Sequence, residues 1–192
     1  MTHILPAYPG DPVVIVLASG RGERFLASGG LTSKLQAMLA GRTVLERTLS
    51  AVHASGLPWY LVDAGYPGMG DSIAAGVRAT ADAPAWLILP GDLPLIQAST
   101  LRSIAAAPAD LDVVVPWLHG HRGHPVRFSA CCGSDLMKLN GARGAATVIA
   151  ARVATQWAVN DIGCTFDIDT LQDLMQAERL LDARDNDKKN SS

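Results

Sequence analysis

Residues 13–18, VVIVLA, form an unbroken, mostly β-branched run behind Asp11-Pro12, the pattern of a strand covered on both faces. Similar runs return as WYLVDA at 59–64, AWLILP at 85–90 and DVVVPW at 112–117. Between them the period changes. TVLERTLSAVHA, 43–54, spaces its apolar residues as a helix does, and Gly56-Leu57-Pro58 ends it. DSIAAGVRATA, 71–81, predicts a helix with Asp71 near its start. STLRSIAAA, 99–107, predicts another, with Ser99 or Thr100 as cap. Residues 31–40, LTSKLQAMLA, fit neither period, and Ser19 to Gly22 must turn.

The second half is less regular. HGHRGHPVRFS, 119–129, is dense in Gly and His, and HPVRF within it suits a short antiparallel strand. CCGSDLMKLN and ARGAATVIAARV suggest two helices joined at Gly141. TQWAV, 155–159, is a strand candidate. Residues 171–184 form a helix with Leu171, Leu174, Met175 and Leu181 on one face.

Strand patterns alternating with helix patterns predict an α/β fold. The expected form is a Rossmann-like three-layer sandwich with a mostly parallel central sheet. Crossovers should be right-handed, with ligands beyond the C-terminal strand ends. The 192 residues suit one domain. Residues 1–12 read as an N-terminal extension, 13–184 as the domain, and the polar DNDKKNSS of 185–192 as a disordered tail.

A formal charge of −2 argues against a nucleic-acid partner, which needs clustered cations. It leaves room for a single nucleotide. Cys131, Cys132 and Cys164 have neither disulfide nor zinc spacing; the adjacent pair reads as buried thiols or as redox-active ones. No apolar run reaches the roughly 18 residues of a membrane span, and the first residues lack a signal-peptide pattern. A cytoplasmic location is the expectation.

Candidate chemistry clusters after the strands. Gly20 and Gly22 flank Arg21, with Arg24 beyond. Such glycines let N–H groups face phosphate oxygens, and arginines offer planar forks to a triphosphate. The loop is neither a Walker A motif nor a full dinucleotide fingerprint. Asp92 follows AWLILPG directly, where a carboxylate is costly unless paired or metal-bound. Asp169 could hold a metal or merely cap the helix behind it, and Asp167, on the same side of an extended stretch, could share the role. The spacing of His119, His121 and His124 lacks the partners of a zinc site.

These motifs together resemble the MobA-like nucleotidyltransferases, and within them the molybdenum cofactor cytidylyltransferases. LASGRGERF with Lys34 is similar to their nucleotide-binding signature. GMGDSIAAG at 68–76, GDLP at 91–94, RGHPV at 122–126, GARGA at 141–145 and DIDTLQDL at 167–174 follow in the family's order. The resemblance implies an Mg²⁺-dependent transfer of CMP from CTP to a phosphate acceptor such as molybdopterin, with pyrophosphate release. It implies that Leu17, Ala18, Ser19, Gly20, Arg21, Gly22 and Lys34 hold the nucleotide, with Gly68, Gly70 and Ser72 at the base or ribose. Arg24, Lys34 and Asp92 become the catalytic set, Asp92 and Asp169 the metal ligands. Arg122 and His124, the latter near its ordinary pKa, would meet the acceptor phosphate. Transient contact with a molybdoenzyme or its chaperone would follow. Guanylyl or sugar-1-phosphate transfer on the same fold, and nucleotide binding without turnover, are the alternatives.

The chain departs from the family pattern in three places, one of them Leu171 and Gln172 in place of the expected Pro-Glu, which should mainly alter helix entry. Between residue 64 and Gly68 a strand–helix unit usual in these cytidylyltransferases is missing, which should shorten one side of the sheet. The stretch from Arg24 to Lys34 is longer than usual and rich in glycine.

Overall fold

The computed structural model describes residues 10–20 and 22–190. A seven-stranded sheet organises them. Its strands are β1 (Val13–Leu17), β4 (Trp59–Val62), β5 (Ala85–Pro90), β6 (Val113–Leu118), β7 (His121–Arg122), β8 (Val126–Ser129) and β9 (Ala154–Ala158). The order is β4-β1-β5-β8-β6-β7, with β9 also on β6. β4, β1 and β5 pair in parallel, as do β6 and β9, while β8 runs antiparallel between β5 and β6. The sheet is therefore mostly parallel, and HPVRF supplies the antiparallel strand its residues suggest. β4 is an edge strand, the position expected when the next strand–helix unit is missing.

The uninterrupted apolar runs are explained by two separate cores. Val14, Val16, Leu87, Leu89 and Val114 face one layer with Val52, Leu101 and Ile104. Ile15, Trp86, Ile88, Val113 and Val115 face the other with Ile73, Val77, Leu136 and Val148. The first layer holds α2 (Val44–Ser55) and α4 (Ala98–Ala105); the second holds α3 (Met69–Ala79), α5 (Gly133–Leu136) and α6 (Ala146–Ala150). Thr43 caps α2 through a capping box with Glu46, so this helix starts where its pattern predicts.

Several local expectations change. Neither Ser99 nor Thr100 caps α4; its first residue is Ala98, and the carboxylate of Asp161 accepts from Gln97 N at 2.9 Å and Thr100 Oγ1 at 2.7 Å instead. Residues 31–40 become a 3₁₀ turn at Lys34–Gln36 and the strand β2 (Met38–Leu39), paired with β3 (Arg42–Thr43). The two helices around Gly141 are only the short α5 and α6, because Gly141 and Gly144 both take positive φ. The C-terminal helix α7 runs Leu171–Asn190, past the expected end at Arg184 into the tail expected to be disordered. No Gly or Pro follows Leu171 to stop it. Met175 is 55% exposed and does not join Leu171, Leu174 and Leu181 against the third core cluster, built on Phe25, Leu35, Leu95, Ile168 and Ala177.

Candidate active site

The strand order decides where chemistry can occur. β1, β4, β5 and β6 all end at the same edge, and β8 begins there. The segments 18–24, 63–68, 91–95 and 119–125 are therefore neighbours, although they are scattered in sequence.

After β1 the chain is tied down before it turns. Ser19 Oγ donates to the carbonyls of Val62 at 3.2 Å and Ala64 at 2.8 Å. Gly20 has open space beside its Cα, so its backbone faces a cavity. Gly22 takes φ +61°, and a Cβ there would come within 3.3 Å of Lys34 N. Glycine thus serves both the turn and the close passage of the Lys34 segment. The helix α1 (Glu23–Ala27) follows and buries Phe25. Arg21 lies outside the described residues.

At the end of β5, Gly91 N donates to Leu17 O at 2.9 Å, and the buried Thr48 hydroxyl donates to Gly91 O at 2.9 Å. These bonds fix the backbone that presents Asp92. Ile168 N in turn donates to Asp92 O at 3.0 Å, with the Ile168 side chain fully buried. Alternation along an extended chain then turns Asp167 and Asp169 away from Ile168 and toward Asp92. Carboxylate oxygens of Asp92, Asp167 and Asp169 lie within 4.8 Å of one another. The alternative that Asp169 caps α7 is removed, because Thr170 does so. Asp173 N donates to Thr170 Oγ1 at 3.2 Å, and Thr170 N donates to Asp173 Oδ2 at 2.7 Å.

Lys34 closes the cluster. Its Nζ lies 2.6 Å from Asp92 Oδ2 and 2.7 Å from Asp169 Oδ1, with side chains only 14%, 14% and 28% exposed. Arg24, 80% exposed, pairs with the other oxygen of Asp169. Burial works against the Lys34 charge, but the two carboxylates outweigh it and raise the ammonium pKa. The Lys34 hydrogen bond lowers the Asp169 pKa against the opposing effect of burial. Asp167 shifts the other way, raised by burial and by its proximity to Asp92 and Asp169.

A cavity of about 370 Å³ lies on one side of Lys34 and Asp92, lined by Leu17, Ser19, Gly20, Tyr66, Gly68 and Ser72 among others. Ala18 belongs to the same turn and packs on the Phe25 cluster. Gly68 and Gly70 are needed here for a different reason than an approaching base. A Cβ at Gly68 would lie 2.4 Å from Gly141, and one at Gly70 2.7 Å from Asn140 O. Gly70 N donates to Gly141 O, and Gly141 N to Asp71 Oδ2, each at 2.8 Å. The 140–142 loop is thereby clamped beside the cavity, where Ala142 joins its wall. Ser72 lines the cavity, but its hydroxyl donates to Gly68 O at 3.1 Å.

A second cavity, about 460 Å³, lies on the far side and contains Arg122, His124, Thr165, Asp167 and Asp169. Lys34, Met69, Pro90 and Asp92 belong to both walls. The expectation of an ordinary His124 pKa is corrected. Burial lowers it although Asp92 and Asp167 favour the charge, so the imidazole is neutral at pH 7. Its Nδ1 is buried and meets no hydrogen-bond partner.

The residues present fit a hard divalent cation. Asp92 Oδ1 is buried without a donor, and the neighbouring ligands are all carboxylate oxygens, the set that Mg²⁺ and Mn²⁺ prefer. Among the described residues this is the one such cluster. Sequence reasoning missed Tyr66, Met69, Ala142 and Thr165, ordinary residues that become walls only when four loops meet. It also missed Asp161, a buried carboxylate bonded to Gln97, Thr100 and Gly163 N and paired with Arg184 at 3.3 Å.

Comparison with known proteins bears on the family and the fold. Residues 50–156, more than half of the chain, match the model of the MobA-like NTP transferase domain. Lys34 and Asp169 lie outside that span, so their place in the site rests on the geometry above. Bifunctional protein GlmU of Stenotrophomonas maltophilia is 28% identical over 134 residues, 58% of this chain and 29% of that protein. The chain thus spans less than a third of this curated relative. Rv0371c from Mycobacterium tuberculosis H37Rv has a TM-score of 0.73 at 20% identity, covering 90% of this chain and 100% of its own. Its complex with manganese gives 0.70 at 19%, covering 88% and 98%. Molybdopterin-guanine dinucleotide biosynthesis protein A from Archaeoglobus fulgidus gives 0.66 at 18%, covering 89% and 98%. At these identities the structures show a shared fold, that of the nucleotidyltransferases. By its matched domain, the chain belongs to the MobA-like NTP transferase family.

Proposed function

We propose that this protein transfers a nucleotidyl group, CMP from CTP, to a phosphorylated small molecule such as molybdopterin. The carrying observation is that two cavities meet at one wall made by Lys34 and Asp92. A nucleoside triphosphate on the Gly20 side and an acceptor on the Arg122 side would meet over the carboxylate cluster.

Asp92 and Asp169, with Asp167 beside them, would hold Mg²⁺, which supplies charge neutralisation at the α-phosphate. The manganese complex of Rv0371c supports a divalent cation here. Lys34 and Arg24 neutralise these carboxylates in the free protein. With nucleotide bound they exchange that contact for the triphosphate. Arg122 would clamp the acceptor phosphate through its planar fork, and neutral His124 would orient it. An acceptor phosphate oxygen bonds to Pα, the bond from Pα to the bridging oxygen breaks, and pyrophosphate leaves. No protein nucleophile is needed, because positioning and charge stabilisation carry such a transfer.

The resemblance to the cytidylyltransferases favours CTP. The guanine named in the Archaeoglobus neighbour supports guanylyl transfer as the second reading. The missing strand–helix unit raised loss of turnover as a third, but Lys34, Asp92 and Asp169 are nevertheless assembled within ion-pair distance. Pyrophosphate release measured with each of four nucleoside triphosphates, with and without molybdopterin, tests the proposal. Release that needs CTP, acceptor and Mg²⁺ together supports it. Release with GTP alone among the four moves the assignment to guanylyl transfer, and nucleotide binding without release in any mixture refutes turnover.

A further inference from the structure

At the opposite end of the sheet from this site, the turn between β8 and α5 brings two thiols together. Cys131 Sγ and Cys132 Sγ are 3.9 Å apart, and all three cysteines of the chain are free. Cys131 is exposed and Cys132 fully buried. The exposed sulfur has a built surround. It donates to Asp112 Oδ1 at 3.1 Å, touches Ser129 Oγ at 3.0 Å, and receives Arg152 Nη1 at 3.6 Å. Arg152 is held there by Asp135 at 2.6 Å and Asp112 at 3.8 Å. The Arg152 guanidinium thus lies beside a solvent-facing sulfur, placed to offset negative charge on that sulfur as it attacks. None of these residues borders the cavities of the proposed reaction.

We infer that Cys131 and Cys132 form a peroxide-oxidisable dithiol, in which Cys131 is attacked first and Cys132 resolves it. In the first step the Cys131 thiolate attacks a peroxide oxygen. The O–O bond breaks, and with one proton taken up the products are Cys131 sulfenic acid and water. In the second step Cys132 attacks the Cys131 sulfur, the S–O bond breaks, and water leaves with the Cys132 proton. The peroxide is reduced by two electrons and the two thiols are oxidised to one disulfide. The division of labour follows from access: peroxide reaches Cys131 from solvent, whereas Cys132 is shielded but already within contact of its neighbour. Burial also pushes the Cys132 thiol up to about 11, which keeps it from being the first target. Adjacent Cα atoms are about 3.8 Å apart, closer than the usual disulfide span, so the bridge is strained and readily reduced. The modification is therefore reversible by a dithiol reductant.

The test uses the whole chain. It is treated with hydrogen peroxide, alkylated, digested with trypsin and analysed by mass spectrometry without reduction. Both cysteines fall in the tryptic peptide 128–138, and Cys164 falls in 153–179 with the exposed Met175. The expected result is a 128–138 peptide lighter by two hydrogens and closed to alkylation, restored by dithiothreitol, with Cys164 still alkylated. Cys131→Ser abolishes it. Cys132→Ala leaves a sulfenic acid on residue 131 that a 1,3-dione reagent labels. Full alkylation of both thiols in wild type, under conditions that convert Met175 to its sulfoxide, overturns the inference. So does a bridge to Cys164 or to a second copy of the chain in place of the adjacent pair. Because the wild-type measurement needs no variant to fold, a failed variant cannot rescue the inference.

Discussion

Replacing Lys34 with Met should move two affinities in opposite directions. The side chain keeps its length and loses its charge. In the free protein Nζ contacts Asp92 Oδ2 at 2.6 Å and Asp169 Oδ1 at 2.7 Å in a largely shielded setting. A charge-assisted hydrogen bond of this kind contributes about 1.5–3 kcal/mol, or about ten- to hundredfold in an equilibrium constant. Without the ammonium, the pair of the exposed Arg24 with Asp169 is the one ion pair left to Asp92, Asp167 and Asp169 among the described residues. A divalent cation should then fill the gap. Mn²⁺ added without nucleotide, followed by electron paramagnetic resonance, should bind about tenfold or more tightly to Lys34→Met than to wild type, the smaller end of that range. Binding of a non-hydrolysable CTP analogue, followed by calorimetry, should weaken by a similar factor. Mn²⁺ affinity that is unchanged or lower in the variant would show that Lys34 does not compete with a metal for these carboxylates. Unchanged nucleotide affinity would show that it does not move to the triphosphate.

Asp92→Asn should abolish pyrophosphate release and weaken Mn²⁺ binding while leaving the circular dichroism melt nearly unchanged; full activity at ordinary Mg²⁺ removes Asp92 from the site. Arg122→Ala should lower kcat/KM for the acceptor by about one to two decades with CTP affinity unaltered, since one charge-assisted contact is lost. Loss of CTP binding in its place would mean the two cavities are assigned backwards. Asp161→Ala should cost about 1–3 kcal/mol of stability in denaturant unfolding for each of the two buried donors it leaves unpaired, Thr100 Oγ1 and Gly163 N, while Arg184 keeps its bond to Leu95 O. The lowered His124 pKa means that the unfolded chain binds this proton more readily. Stability should therefore fall as pH drops below the ordinary histidine range and recover above it. His124→Gln should flatten that part of the melting-temperature profile, and an identical profile in the variant contradicts the buried neutral imidazole.

The layers of the fold are legible in the sequence because burial on both faces leaves a direct trace. VVIVLA and AWLILP admit few structures besides central strands, and their residues alternate between the two cores as such strands require. The expected residues of the site were readable as motifs, but not how they meet. Asp169 could have been a helix cap, and the duty of Thr170 with Asp173 emerges only from the hydrogen bonds. Gly68 and Gly70 were legible as glycines but not as seats for the 140–141 loop, whose approach depends on distant chain packing. The helical tail was missed because a strongly polar run lacks the apolar stripe that marks a packed helix, although nothing in it stops α7. Composition also concealed the His124 environment, since burial is a property of the assembled site.

The most direct test of the account is a crystal structure of the protein with Mn²⁺ and a non-hydrolysable CTP analogue, with data collected at the manganese absorption edge. The account predicts an anomalous peak between the carboxylates of Asp92 and Asp169. It places the triphosphate along the turn at Gly20 and Gly22, with Lys34 Nζ moved from Asp92 to a phosphate oxygen. A nucleotide bound there with manganese elsewhere, and Lys34 still between the two carboxylates, would contradict it.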